Sequence, residues 1–378
     1  MTDVPSTMKA MRSLIKEDGT VELALHDAPV PEPGPNQVLV RVEATPINPS
    51  DLAMMFGMAD LQGGAQGGTA ENPVLMGKLP PQAVAMMQAR IGKAIPLGNE
   101  GAGVVVKAGP GELGQAYLGK TVATFGGGLY AEYRLADVAT VMPLADGVTA
   151  KEGASSFVNP MTALGMVETM RMEGHSALVH TAAASNLGQM LNRICQADGV
   201  PLVNVVRKAE QEALLRGIGA THVVNSSEPD FFEKLLAAID ETGATLSFDA
   251  VGGGALAGTI LQAMVAAQNA KVTEYTFYGA PVRTQVYVYG RLDFGPIEIP
   301  PSVGMFWHAG GWLLTDFLGK VGLEGQMRLA GRVISEIKTT FASAYTDEIS
   351  LAGALELSVA ERYAKRATGE KFLITPNG

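Results

Sequence analysis

The sequence predicts an α/β chain in which a doubly wound parallel domain is inserted into a mostly β domain. Three observations predict it. Residues 6–45 alternate apolar and polar in short runs broken by prolines and glycines, as antiparallel strands and turns do. From about residue 150 short β-runs alternate with helical runs of ten to fifteen residues, the rhythm of βαβ units. After about residue 305 the pattern turns helical and closes on one strand-like run, too little for a third domain. The expected domains are therefore 1–150 with 305–378, and 151–304.

The first part reads as β-structure in "VELALHD", "NQVLVRVEATPI", "GAGVVVKAG", "GKTVATFGGG", "LYAEYRLA" and "ATVMPL". Residues 58–95 interrupt it with a Gly/Gln-rich piece, "LQGGAQGGTAENP", and a short helical pattern, "PPQAVAMMQARIGKA". An insertion of this length is expected to be a lid with Met76, Met86 and Met87 as its adaptable apolar surface, or a plain surface elaboration. The second part supplies the strands "SALVHTA", "VPLVNVV", "THVVN", "ATLSFDAVG" and "AKVTEYTFYG". "QVYVYG" is long and β-rich and is expected to be a sheet edge that pairs with a second copy, giving a homodimer. "FWHAGGWLLTDFLGKVG" reads as helix.

Composition excludes several classes. Apolar residues make up 47% and charged residues 17%, with 45 glycines and 21 prolines, as in a globular, turn-rich chain. No apolar stretch reaches membrane-spanning length and no secretory signal is visible, so a cytoplasmic protein without membrane contact is expected. The net charge of -10, with no dense basic cluster, argues against nucleic acid. The single cysteine, Cys195, rules out an intrachain disulfide and any cysteine-rich zinc site, and its helical setting reads as a buried hydrophobe. The five histidines show no ligand spacing, and no metal is expected.

The stretch "HTAAASNLGQ" stands where a dinucleotide-binding turn belongs, after a strand and before a helix. It keeps one of the three expected glycines: Gly188 takes the helix-packing place, and Ala183 and Ser185 take the other two. Small residues still let a pyrophosphate approach, and Ser185 or Asn186 can cap the helix. The next strand ends in "NVVRK". An acidic residue there reads the ribose of NAD, whereas Arg207 and Lys208 suit the 2′-phosphate of NADPH or form a solvated basic pair.

These residues resemble the medium-chain dehydrogenase/reductases, in their zinc-independent branch of quinone oxidoreductases and 2-enoyl thioester reductases. The resemblance runs from "QVLVRVEATPINPSDL" through "GNEGAGVVV", "FVNPMTALGMVE", "HTAAASNLGQ", "NVVRK", "FDAVGGG" and "FYGA" to "EKFLI". It implies a Rossmann cofactor domain within a GroES-like catalytic domain, and an NADPH-dependent reductase of a quinone, an enone or an acyl thioester. It also implies that Asn159 contacts the nicotinamide side, and that Ala184, Ser185, Asn186, Leu187, Gly188 and Gln189 hold the pyrophosphate. Arg207 and Lys208 would hold the 2′-phosphate, Tyr278, Gly279 and Ala280 would line the cofactor, Phe306 and Trp307 would meet the carboxamide, and Lys371 would approach the cofactor. Where zinc-dependent relatives carry a catalytic cysteine and histidine, this chain has "NPSD" and Asn99. The tyrosine credited with protonating the substrate in enoyl reductases is absent, since no tyrosine lies between Asp51 and Gly98. His308 and Tyr130 are the substitute candidates. A quinone needs no such donor, because its oxyanion takes a proton from water. The alternative function is an NADPH-binding structural or redox-sensing protein without turnover.

Overall fold

The computed structural model describes residues 4–273 and 280–378. The chain forms two compact units, residues 1–158 with 333–378 and residues 159–332.

The first unit is built on two sheets. β1 (Thr7–Ile15) and β2 (Thr20–Pro29) form an antiparallel hairpin paired from Thr7 with Pro29 to Ile15 with Val21. Its tip needs a positive φ, supplied by Gly19 at 79°, while Asp18 accepts the Thr20 N–H at 2.9 Å. β3 (Gln37–Pro46) follows, then β4 (Asp60–Gly68), β5 (Pro73–Lys78) and the two-residue β6 (Ile95–Pro96). The first sheet runs β4-β5-β2-β1-β6. Within the segment 58–95, β4 and β5 form a hairpin fixed to the sheet, because β5 pairs with β2 from Thr20–Lys78 to Ala24–Val74, and the helix Pro81–Met86 follows it. Met76 lies in that ladder opposite Glu22, and Met87 packs against the Ile15, Val21 and Leu79 cluster; only Met86, at 74%, is largely exposed.

β7 (Glu100–Ala108), β8 (Thr121–Phe125), β9 (Tyr133–Asp137) and β10 (Val141–Pro143) join β3 in the second sheet. Val38, Val40, Val105 and Val122 make its apolar interior, which β-branched side chains fill well.

The second unit is a six-stranded parallel sheet: β11 (Leu178–Thr181), β12 (Leu202–Val206), β13 (His222–Asn225), β14 (Leu246–Asp249), β15 (Thr284–Val288) and β16 (Trp307–Gly311). Its order is β13-β12-β11-β14-β15-β16, with the topological switch between β11 and β14. Val179, Val203 and Val205 face the helices Phe231–Thr242 and Leu256–Asn269. On the opposite face Trp312 donates to Thr169 of the helix Val158–Met172 at 3.1 Å and stands edge-on to Phe248.

Three expectations change here. Residues 307–311 form a strand instead of helix, since Gly310 and Gly311 disfavour helix and β16 gains a full parallel ladder on β15. "QVYVYG" is therefore interior, and β16 is the edge. The chain returns to the first unit at residue 333 rather than 305, because β16 and its following helix belong with the parallel sheet. The strand expected in "AKVTEYTFYG" falls largely on residues 274–279, outside the described residues.

Back in the first unit, β17 (Asp347–Ile349) and β18 (Phe372–Ile374) are parallel to each other, and β18 pairs antiparallel with β3. Among the described residues no helix is long and apolar enough to cross a membrane. Cys195 is buried, and burial pushes its thiol up to about 12.

Candidate active site

The turn after β11 is built without glycine at its first two positions. Ala182 takes the positive φ, 49°, that glycine would otherwise provide. Ser185 caps the helix Asn186–Asp198, its hydroxyl accepting the Gly188 N–H at 3.1 Å, and Gln189 braces the turn through Ala184 O at 3.0 Å. At Gly188 a Cβ would lie 2.1 Å from the Ala183 carbonyl oxygen, so only glycine lets helix and turn pack this closely. Ala184 and Leu187 are buried, whereas Ser185, Asn186 and Gln189 reach the surface. A helix N-terminus behind a tight turn of small residues fits a pyrophosphate.

Arg207 and Lys208 lie directly beyond the carboxyl end of β12, the neighbour of β11, and both are exposed. Neither has an ion-pair partner among the described residues, although Arg207 is fixed through its backbone: its N–H donates to Gln211 at 2.9 Å and its carbonyl accepts from Ser227 at 3.0 Å. Two unpaired cations where the ribose is read suit a 2′-phosphate.

A buried latch ties the neighbouring strand ends together. The Thr181 hydroxyl donates to Asp249 at 2.6 Å and accepts the Ala250 N–H at 2.8 Å, and Asp249 also accepts the N–H groups of Val251 and Gly252. Beyond β15, Tyr289 and Gly290 sit at the same carboxyl edge, and sequence reasoning overlooked both. Their signal was "YG" ending an apolar run, hidden by the similar "YG" at 278–279.

The other expected cofactor residues divide. Asn159 lies buried in the first turn of the helix Val158–Met172. Tyr278 and Gly279 lie outside the described residues. Ala280 precedes β15, and Phe306 and Trp307 stand at the start of β16, where Trp307 pairs with Thr284. In a parallel sheet these are the amino ends of the strands, opposite to the turn. Trp307 packs on Leu261 and Val286 and donates to Gly304 O at 3.1 Å, a core role. His308 is exposed on the edge strand, its ring edge-on to Tyr287. Tyr130 is fully buried, with its hydroxyl donating to Pro46 O at 3.1 Å, and so cannot meet a substrate.

The first unit holds a buried polar cluster that the sequence did not announce. Asp51 and Glu100 are each 1% exposed and Asn48 2%. Asp51 accepts the N–H groups of Asn48 and Asn99, both at 2.9 Å, joining "NPSD" to "GNE". Glu100 accepts Asn48 Nδ2 at 2.7 Å and the N–H groups of Phe157 and Val158 at 2.8 Å. The Lys371 ammonium donates to Asn48 Oδ1 at 3.3 Å and lies 5.8 Å from the centre of the Tyr345 ring. Burial dominates the electrostatics: it raises Asp51 to about 7 and Glu100 above its usual range, and lowers Lys371 to about 8. Asn99 Nδ2 donates to Ser50 at 3.1 Å.

Residues 34–146 match the alcohol dehydrogenase GroES-like domain. A putative NADPH:quinone reductase from Mesorhizobium loti superposes with a TM-score of 0.73 at 28% identity, covering 99% of this chain and 100% of that one. The chain has the medium-chain dehydrogenase/reductase fold. A mitochondrial enoyl-[acyl-carrier-protein] reductase from Xenopus tropicalis is 29% identical over 326 residues, 80% of this chain and 76% of the relative. A synaptic vesicle membrane protein VAT-1 homolog from Rattus norvegicus is 28% identical over 235 residues, 62% of this chain. Against that relative the match spans about half the length, 51%. The GroES-like match falls in the first unit, and the parallel sheet with its glycine-poor turn makes the second.

Proposed function

We propose that the protein is an NADPH-dependent, zinc-independent reductase that passes hydride to a quinone or to an activated C=C bond, an enone or enoyl thioester. One observation carries the cofactor: Arg207 and Lys208 stand exposed beyond β12, beside the Ser185-capped turn, with no ion-pair partner among the described residues. An NADPH:quinone reductase and an enoyl reductase among the similar proteins support the reaction class.

Ser185 to Gln189 would hold the pyrophosphate, Arg207 and Lys208 the 2′-phosphate, and Asn159 the nicotinamide side. NADPH supplies the hydride, and the chain supplies binding and orientation. Asp51 and Glu100 hold the loops of the first unit, with Lys371 balancing their charge. A cytoplasmic homodimer is the assembly we favour, joined through the exposed β16 edge beside Met305 and Leu313, 77% and 67% exposed.

The test mixes the protein with NADPH and, in turn, a quinone, an enone and a crotonyl thioester, following the nicotinamide absorbance. Oxidation with at least one acceptor supports the proposal. Binding without oxidation by any of them supports the redox-sensing alternative.

A further inference from the structure

We propose that Tyr289 donates the proton that completes reduction of a C=C substrate and that His180 is its positioning residue; this rests on the NADPH-reductase reading above. His180 lies in β11, fully buried, and its Nε2 is 2.7 Å from the Tyr289 hydroxyl oxygen, with the two rings stacked at 5.7 Å. Its Nδ1 is buried and has no hydrogen-bond partner among the described residues.

That orphan decides the tautomer. Burial holds the imidazole neutral, driving it down to about 3, so one nitrogen carries a proton and the other a lone pair. Buried N–H groups without acceptors are rarer than buried acceptors without donors. The proton therefore sits on Nε2 and is donated to the Tyr289 oxygen. The phenolic hydrogen is left over, and because Tyr289 is half-buried, solvent or substrate can accept it, whereas an Nδ1–H on His180 would be a donor sealed in the core.

Tyr289 is well placed to use it. It follows β15 at the carboxyl edge of the sheet, where this topology binds its ligand, and the residue as a whole is half-buried. Its N–H donates to Asp249 O at 3.0 Å. The adjoining loops meet backbone to backbone: a Cβ on Gly252 would lie 2.4 Å from Gly290 O, and one on Gly290 2.9 Å from Ala250 O. The hydroxyl is thus held by a rigid frame on one side and by His180 on the other.

The step balances. The substrate's β-carbon accepts hydride from the reduced nicotinamide dinucleotide, which is oxidised, and the C=C pair moves toward the carbonyl as an enolate. The Tyr289 O–H bond breaks, its proton forms the new C–H bond at the α-carbon, and the O–H pair stays on the phenolate. The His180 Nε2–H stabilises that phenolate until water reprotonates it. A quinone acceptor bypasses the step, because its oxyanions take protons from water.

Two measurements test this. In the full-length protein without ligand, 15N NMR should show His180 protonated at Nε2, and Tyr289→Phe should shift that resonance while leaving the NADPH Kd unchanged. In turnover, Tyr289→Phe should lower kcat for an enone or enoyl thioester by roughly 100-fold or more, and quinone reduction by at least about tenfold less than that. His180→Gln should give a smaller loss on the same substrates. An Nδ1-protonated His180, or full C=C reduction by Tyr289→Phe, overturns the proposal and leaves the reductase reading intact. Wild-type protein that reduces quinones alone overturns it too. Wild-type protein that oxidises NADPH with no acceptor refutes the reductase reading and this proposal together.

Discussion

Glu100→Gln isolates what the buried cluster of the first unit does. The native carboxylate accepts three donors, Asn48 Nδ2 at 2.7 Å and the Phe157 and Val158 N–H groups at 2.8 Å. A glutamine oxygen can face the two backbone donors, but its NH2 then confronts the NH2 of Asn48. Turning the Asn48 amide to relieve this takes the acceptor away from Lys371, whose ammonium bonds to Asn48 Oδ1. Each arrangement strands buried polar groups, at about 1–3 kcal/mol apiece, so the substitution should cost about 2–4 kcal/mol. For a unit of this size that lowers the first unit's Tm by roughly 5–12 °C. Differential scanning calorimetry measures it, with Lys78→Ala as the control. Lys78 pairs with Asp18 on the surface, both side chains at least 60% exposed, and its removal should leave the transition in place. A Glu100→Gln protein melting within about 1 °C of the wild type would refute the reasoning.

Three other outcomes follow from the same structure. Gly188→Ala places a Cβ 2.1 Å from Ala183 O and should abolish NADPH binding, measured by fluorescence titration; unchanged affinity would show that the turn does not hold the cofactor. Asp51 has its pKa raised to about 7, so the folded state holds a proton that the unfolded chain releases near pH 4. Its contribution to stability should fall as pH rises from about 4 to about 7, and Asp51→Asn should flatten that slope in a series of thermal melts. Light scattering should find a dimer that Ala309→Lys on β16 weakens, and a monomeric wild type would contradict the edge pairing.

The sequence carried the features whose determinants are local. The alternation of strands and helices, the turn at 182–188, and Arg207 with Lys208 at the end of β12 all arise from neighbouring residues, and could be read directly. Features set by pairing between distant segments were hidden. Trp307 to Gly311 has no strong strand propensity of its own and becomes β16 only through its ladder on β15. The Gly/Gln-rich run at 61–68 reads as a loop until β5 locks it to β2. The cluster of Asp51, Glu100 and Lys371 draws on three remote segments, and the pairing of His180 with Tyr289 on two. The missing tyrosine was visible from sequence, but the tyrosine that stands at the sheet edge required the fold.

The central claim is that Arg207 and Lys208 bind the 2′-phosphate of NADPH, and paired titrations test it most directly. Charge-assisted hydrogen bonds contribute about 1.5–3 kcal/mol each, less where solvent screens them. The Kd of the wild-type protein and of the Arg207→Ala/Lys208→Ala variant should be measured for NADPH and NADH at fixed ionic strength. The account predicts that the variant loses roughly 10- to 100-fold in NADPH affinity while its NADH affinity changes less than about twofold. Equal losses for the two cofactors, or none for either, would contradict it.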